Sequence, residues 1–388
     1  MSYNHFFLFG CWNRDNCSGN KLDYRKALAE KILLKDDYFN FGIIAGDNIY
    51  QHKATEEKKK KEKNYYESTL NYGFDLLQKL KINTINKQIY GTIGNHDIDL
   101  PNILQKQIES NVLTMPYNVF SNYDNKNLRI IFIDTNLFDK KWDDSDNNEL
   151  FKIKNNNGSL FYVIKNIDDL EKYLDDIKIE EFNGWNIIIG HEPIISIKLK
   201  KSEYKINNLD RYEEILEKLA SIPKAVYMCA DVHSFQAWNI RTKEKTLPMI
   251  VVGTGGAEPD QTIENKNFDH EGINLDLLAT EYPYGYCDIS YNENELFITY
   301  IPLNGCSDES NIEYTFEYNI KRNELNFSKE NIQEKEACIA QEIEEYLCKN
   351  PDGLIKGGRK NKLYNEIYTG IYNTFKINKN LIPKGFYL

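Results

Sequence analysis

"QIYGTIGNHD", residues 88–97, is a short apolar run that ends in a glycine, an amide, an imidazole and a carboxylate set side by side. Its length suits a buried strand, and its polar end suits a site more than a core. The same design recurs in "HFFLFG" (5–10), "FGIIAGD" (41–47), "LRIIFIDTN" (128–136), "WNIIIGHEP" (185–193), "AVYMCAD" (225–231) and "PMIVVGTGG" (248–256). Helical patterns separate several of these runs, among them "YRKALAEKILL" (24–34), "YYESTLNYGFDLLQKL" (65–80) and "RYEEILEKLASI" (211–222). Such alternation predicts an α/β protein with mainly buried strands. In sheets of this kind functional groups gather at the carboxyl ends of the strands.

The residues at those ends are Asp47, Tyr50, Asn95, His96, Asp97, His191, Asp231 and His233. Each alone has a structural reading: Asp47 as a helix cap, His191 as a satisfied core histidine, Asn95 as a turn residue, Tyr50 as core. Together they would converge on one sheet edge. Carboxylate, imidazole, amide oxygen and phenolate form the mixed nitrogen and oxygen set that suits iron, zinc or manganese. A bridging carboxylate can hold two metal ions roughly 3.5–4 Å apart, the arrangement used for phosphoryl displacement.

Composition narrows the function classes. The chain has 388 residues, 41% hydrophobic and 13% aromatic, which suits a packed globule. Its formal net charge of −11 argues against binding to nucleic-acid backbone. No stretch approaches the roughly 20 apolar residues that cross a bilayer. No basic region or small-residue cleavage site marks a signal peptide, so a cytoplasmic location and no membrane partner are expected. Seven cysteines without a CxxC pair fit reduced thiols. The glycine-rich "GTGGAEPD" (253–260) lacks the P-loop Lys-Ser/Thr and the Rossmann spacing, and reads as a strand-end turn bordering the site.

Further along, "KATEEKKKKEKN" (53–64) is a charge run of the kind found at a solvated helix start or in a surface insertion. From about 283 to 321 the pattern turns to antiparallel β, with "NENE" (292–295) as a turn. Beyond 321, Ile332, Ile339, Ile343 and Tyr346 fall at helical spacing, as do Leu363, Ile367, Ile371 and Phe375. The expected organisation is therefore a main domain over 1–321 and a helical extension over 322–388, which could pack on the domain or on a protein partner.

"GDNIY", "GNHD", "GHEP" and "DVH", in this order, resemble the signatures of calcineurin-like metallophosphoesterases. Tyr50, three residues after Asp47, is similar to the purple acid phosphatase (tartrate-resistant acid phosphatase-like) branch. The likeness extends to "MPYNVFSN" (115–122) and "YGYCDISYNENELFITYI" (284–301), and so spans about residues 5–320. It implies a four-layer α/β/β/α sandwich holding two metal ions, iron paired with zinc, manganese or a second iron. By the same resemblance Asp47 would bridge the metals, Tyr50 and His233 would complete the first site, and Asn95 and His191 would sit on the second. His96 would protonate the leaving oxygen with Asp97 orienting its ring, and a metal-bound hydroxide would attack.

Two residues depart from the family pattern. Cys11, in "FGCWN", stands where the first motif carries an aspartate ligand, and Asp231 stands where the last motif has a histidine. Asp231 can ligate the second metal through oxygen. For Cys11 three readings stay open: a thiolate ligand, a first site left weak or empty, or a structural thiol. Asn13 or Asp15 in the following loop could compensate. The function expected is hydrolysis of a phosphate ester, a monoester before a nucleotide or diester, on a small molecule or a phosphoprotein. The alternative is a pseudophosphatase kept as a binding or scaffold module.

Overall fold

The computed structural model describes residues 3–14, 23–34, 39–50, 56–82, 88–99, 101–110, 112–115, 121–124, 127–138, 152–154, 160–163, 167–179, 182–200, 203–207, 209–243, 245–257, 260, 267–270, 272–281, 284–303 and 311–333. Two large sheets dominate. In the first, seven strands lie in the order Glu324–Gln333, Asn311–Asn319, Leu296–Pro302, Gly285–Tyr291, Asn4–Phe9, Phe41–Ile44, Ile89–Gly91. In the second, eight lie in the order Asn267–His270, Ile273–Glu281, Phe235–Arg241, Thr246–Val252, Ala225–Cys229, Trp185–Ile189, Leu128–Phe132, Ser121–Asp124.

Each sheet has a parallel block that carries the apolar runs. Asn4–Phe9, Phe41–Ile44 and Ile89–Gly91 pair in parallel, with Phe9 opposite Ile44 and Ile44 opposite Gly91. Leu128–Phe132, Trp185–Ile189, Ala225–Cys229 and Thr246–Val252 do the same in the second sheet. The strands of the second sheet's block are buried throughout, and successive side chains join different apolar clusters as their period of two demands. Ile130, Phe132, Ile187, Ile189, Val226 and Met228 join one apolar cluster with Phe6, Leu8 and Ile43 of the first sheet. The same cluster takes in Leu28 and Ile32 of the helix Tyr24–Leu33, and Leu76, Leu77 and Leu80 of the helix Glu56–Ile82. The intervening residues Ile131, Ile188, Tyr227 and Val251 join a second cluster with Leu170 and Leu174 of the helix Ile167–Ile179 and Ile215, Leu216 and Leu219 of the helix Leu209–Ser221. Helix, sheet, sheet, helix is thus the layering that the strand alternation dictates, and it agrees with the four-layer expectation.

The antiparallel stretch after residue 283 forms as read. Gly285–Tyr291 and Leu296–Pro302 make a hairpin whose turn is the "NENE" segment. Asn292 Oδ1 closes it by accepting from the backbone N–H groups of Asn294 and Glu295. The charge run at 56–64 is the start of the helix Glu56–Ile82.

One boundary differs. Residues 324–333 form a strand paired antiparallel with Asn311–Asn319, where helical spacing had placed Ile332 at the start of a helix. Tertiary partners decide it. Asn319 Oδ1 accepts from the backbone N–H groups of Lys321 and Arg322, and Asn323 takes a left-handed turn conformation at φ 55°. Leu325 is then held at both its N–H and its carbonyl by the side chain of Asn239. The first sheet therefore continues past residue 321. The helices read at 339–375 lie outside the described residues.

Candidate metal centre

The chain segments that follow the parallel strands of the two sheets are joined by hydrogen bonds between their backbones. Gly10 N–H donates to Val252 O at 2.9 Å, Gly255 N–H to Gly10 O at 3.0 Å and Ala257 N–H to Cys11 O at 2.9 Å. The "GTGG" turn thus borders the site, as its sequence suggested. Backbone conformation at the strand ends is unusual. Cys11, Asp47 and Asp231 all adopt left-handed angles, with φ of 53°, 54° and 55°. For a residue with a Cβ this costs about 1–2 kcal/mol, and such strain collects at functional sites when the surroundings over-determine it. Close approach needs glycines beside them. A Cβ on Gly46, itself at φ 82°, would lie 2.5 Å from His191 Nδ1, and one on Gly94 would lie 2.3 Å from Asp47 N.

At the centre, Cys11, Asp47 and His191 are fully buried, with one ligand atom from each lying within 4.8 Å of the others. His191 Nε2 is 3.2 Å from Asp47 Oδ1 and 3.9 Å from Asp231 Oδ1. Cys11 Sγ is 3.9 Å from Asp47 Oδ2. His191 Nδ1 is 2.8 Å from Ala45 O, and a carbonyl can only accept, so Nδ1 carries a hydrogen. In the neutral ring this leaves the Nε2 lone pair facing a carboxylate, and Nε2 makes no hydrogen bond. A cation on Nε2, proton or metal, resolves that opposition. Thr135 Oγ1 seats the loop by accepting from the N–H groups of His191 (3.0 Å) and Glu192 (2.8 Å).

Electrostatics point the same way. Burial alone would lower the His191 imidazolium, but the Asp47 carboxylate raises it to about 10. Burial alone would raise Asp47, and the adjacent His191 charge brings it below the usual carboxylate range. Burial pushes the Cys11 thiol and the Tyr50 phenol well up, and the Asp47 charge adds to both. Such a buried set of acidic donors around one carboxylate is fitted to a multivalent cation.

A second group lies alongside. Tyr50 Oη and His233 Nε2 are 3.1 Å apart, and the Tyr50 ring sits 4.7 Å from the ring of His96. His233 N–H donates to Asp260 Oδ2 at 3.0 Å. Arg14 places its guanidinium 5.8 Å from the centre of the Tyr50 ring. Asn95 Oδ1 and His96 Nδ1 are buried without hydrogen-bond partners. His96 N–H donates to Asp47 Oδ1 at 3.1 Å, which ties the "GNHD" loop to the "GDN" loop.

Asp97 does not have the role the resemblance implied. Its carboxylate accepts from Asn48 N–H (3.0 Å), Gly94 N–H (2.8 Å) and Gln107 Nε2 (2.9 Å), and makes no bond to His96. The reason is position. Asp97 is the third residue of the short helix Asn95–Ile98, so its side chain folds back over the helix start as a capping group. Burial first, then the Asp47 charge, raise Asp97 to about 6. Asn48 completes the brace through Thr92 O at 3.1 Å. Asn48, Gln107, Thr135 and Arg14 were not singled out from sequence. Asn48 and Thr135 each follow an aspartate, in "GDNIY" and "FIDTN", and carry no chemical signature of their own.

The profile of the calcineurin-like phosphoesterases matches residues 5–235. The chain belongs to that family. Among solved structures, PhoD is similar over 92% of this chain and 78% of its own, at 12% identity and a TM-score of 0.53. GAP50, the anchor in the inner membrane complex of Plasmodium, aligns over 90% of this chain and 95% of its own at 16% identity and a TM-score of 0.47. The purple acid phosphatase PPD1 of yellow lupin (Lupinus luteus) seeds aligns over 78% of this chain at 12% identity and a TM-score of 0.49. The alignment covers 52% of the lupin enzyme, so this chain spans about half its length. At these identities the PhoD likeness speaks for the fold alone. No curated protein matches the chain in sequence. Among the described residues no helix is long and apolar enough to cross a membrane.

Proposed function

We propose that the chain is a metal-dependent phosphoesterase that hydrolyses a phosphate monoester, carried by a small molecule or a phosphoprotein, in the manner of an acid phosphatase. The observation that carries this reading is the approach of His191 Nε2 to Asp47 Oδ1, 3.2 Å, in a fully buried cluster with Cys11. In place of the split the resemblance implied, the compact set Cys11, Asp47 and His191 would hold one ion, with Asp231, Asn95, Tyr50 and His233 offering donors for a second. Iron paired with zinc, manganese or another iron suits these donor types. When bound, the metal supplies Lewis acidity that polarises a phosphoryl oxygen and lowers the pKa of water.

The chain's own groups do the rest. His96, with its ring beside Tyr50, gives a proton to the leaving oxygen. Its backbone N–H on Asp47 fixes where that ring stands. Asp97 positions the loop, and Arg14 brings a permanent positive charge to the Tyr50 side, where a phosphate dianion would be drawn. The test is metal analysis of protein purified without chelator, followed by turnover of an aryl phosphate and of an aryl phosphodiester. Metal-dependent cleavage of the monoester supports the reading. Preference for the diester overturns its substrate half.

A second reading, a pseudophosphatase retained for binding, draws on Cys11 in place of a carboxylate ligand and on the direct Tyr50–His233 hydrogen bond. It predicts bound metal with no turnover of either ester.

A further inference from the structure

We infer that Cys11 makes this centre a mixed sulfur, oxygen and nitrogen site selective for thiophilic ions such as zinc, cobalt(II) or cadmium over magnesium and manganese. The inference rests on reading the cluster as a metal site, and it stands whether or not an ester is cleaved there.

Three observations converge. Cys11 Sγ faces Asp47 Oδ2 at 3.9 Å and belongs to the compact set with His191. The Cys11 backbone is held in a left-handed conformation by its loop: Cys11 N–H donates to Gly46 O at 3.1 Å and Cys11 O accepts from Ala257 N–H at 2.9 Å. The thiol thereby reaches the Asp47 carboxylate from within a small buried cluster that includes Ala45, Tyr50, Ala230 and Ala257. Independently, His191 Nε2, fully buried and without a hydrogen bond, points into the same space. Cys229, packed in the second apolar cluster with its Sγ 3.6 Å from the backbone carbonyl of Ile250, is the contrast within this chain.

Chemically, the S–H bond breaks as the ion binds. Its proton leaves to the solvent and its electron pair forms the sulfur–metal bond. Asp47 adds a carboxylate oxygen and His191 a ring nitrogen. Thiolate selects against hard ions, which carboxylate, carbonyl and water suit better. A family member with a carboxylate at this position would lack that discrimination.

The experiment uses the full chain, stripped of metal under reducing, anaerobic conditions and titrated with cobalt(II). The expected result is a near-ultraviolet sulfur-to-cobalt charge-transfer band that saturates with the first ion bound. X-ray absorption of the zinc form should show one sulfur neighbour at about 2.3 Å. Cys11→Asp should abolish the band, keep cobalt binding, and shift the zinc-to-manganese preference toward manganese by at least the roughly tenfold that even outer ligand-sphere changes produce. Absence of the band and of the sulfur neighbour in the parent, with cobalt bound, overturns the inference. So does a band that survives Cys11→Asp, since another cysteine would then be the ligand. The parent measurements hold even if the variant does not fold. Phosphatase assays of the same samples separate the two readings: sulfur ligation without turnover sinks only the proposed activity, and turnover with manganese but no sulfur ligation sinks only this inference.

Discussion

His191 Nδ1 donates to the carbonyl of Ala45 at 2.8 Å, joining the end of one sheet's strand to the end of a strand in the other. The same ring thus ties the layers together and presents Nε2 to Asp47. His191→Ala should therefore lose metal and stability at once. An unpaired buried carbonyl costs about 1–3 kcal/mol. Urea unfolding of the metal-free variant checks the structural part separately from metal content, and unchanged unfolding of the metal-free form would deny the tie.

The proton on His191 makes metal uptake pH-dependent. Its folded value, raised to about 10, exceeds the roughly 6.5 of an unfolded chain. The stabilisation it gives the metal-free protein is therefore fully present below about pH 6.5 and is lost as pH rises through about 10. A metal ion must displace that proton. Zinc affinity, measured by competition with a chelator of known protonation, should climb steadily from pH 6 to 9. A flat profile would place the proton elsewhere.

Asp97 serves as a brace between loops. Asp97→Ala strands the N–H groups of Asn48 and Gly94 and the amide of Gln107. A loss of about 2–4 kcal/mol is expected from several orphaned buried donors. Had Asp97 only oriented the His96 ring, thermal unfolding would not move and only turnover would fall.

His96→Ala should lower turnover by about 10²–10⁴-fold on an alkyl phosphate, the usual worth of general acid help. The loss should be smaller on a nitrophenyl ester, whose leaving group needs no proton. Metal content should hold, because the His96 contact to Asp47 comes from the backbone. Equal losses on both esters would remove His96 from proton donation.

Asp47→Asn keeps the side chain's size but removes the charge that His191 and Cys11 both face. Metal affinity and activity should fall together in equilibrium dialysis and assay. Retention of parental affinity would reduce Asp47 to a capping residue.

Much of the fold was legible because buried parallel strands announce themselves: "WNIIIG" and "AVYMCA" have no polar face to confuse their period. The convergence of Asp47, His191 and Asp231 followed from their shared position at strand ends. The strand Glu324–Gln333 was hidden because its pairing depends on Asn239, some 85 residues away, which no local pattern reveals. Asp97 was misread for a related reason. Adjacency to His96 in sequence suggested contact, but successive residues on a helix point in different directions, and only the fold showed Gln107 and Asn48 on its far side.

The strand Asn4–Phe9 pairs on one side with Phe41–Ile44 and on the other with Gly285–Tyr291, where Asn4 lies opposite Tyr291, about 290 positions later. A ribosome adding roughly 5–20 residues per second needs on the order of 15–60 s to make the missing neighbour. Throughout that interval the nascent chain carries an apolar strand with an open edge, the kind of surface that recruits chaperones or pairs with another chain. Closure of so distant a contact also makes for slow folding. Yield in a heterologous host should consequently respond to cooler growth and to chaperone supply. A truncation at residue 235, where the family profile stops, would leave that edge open for good.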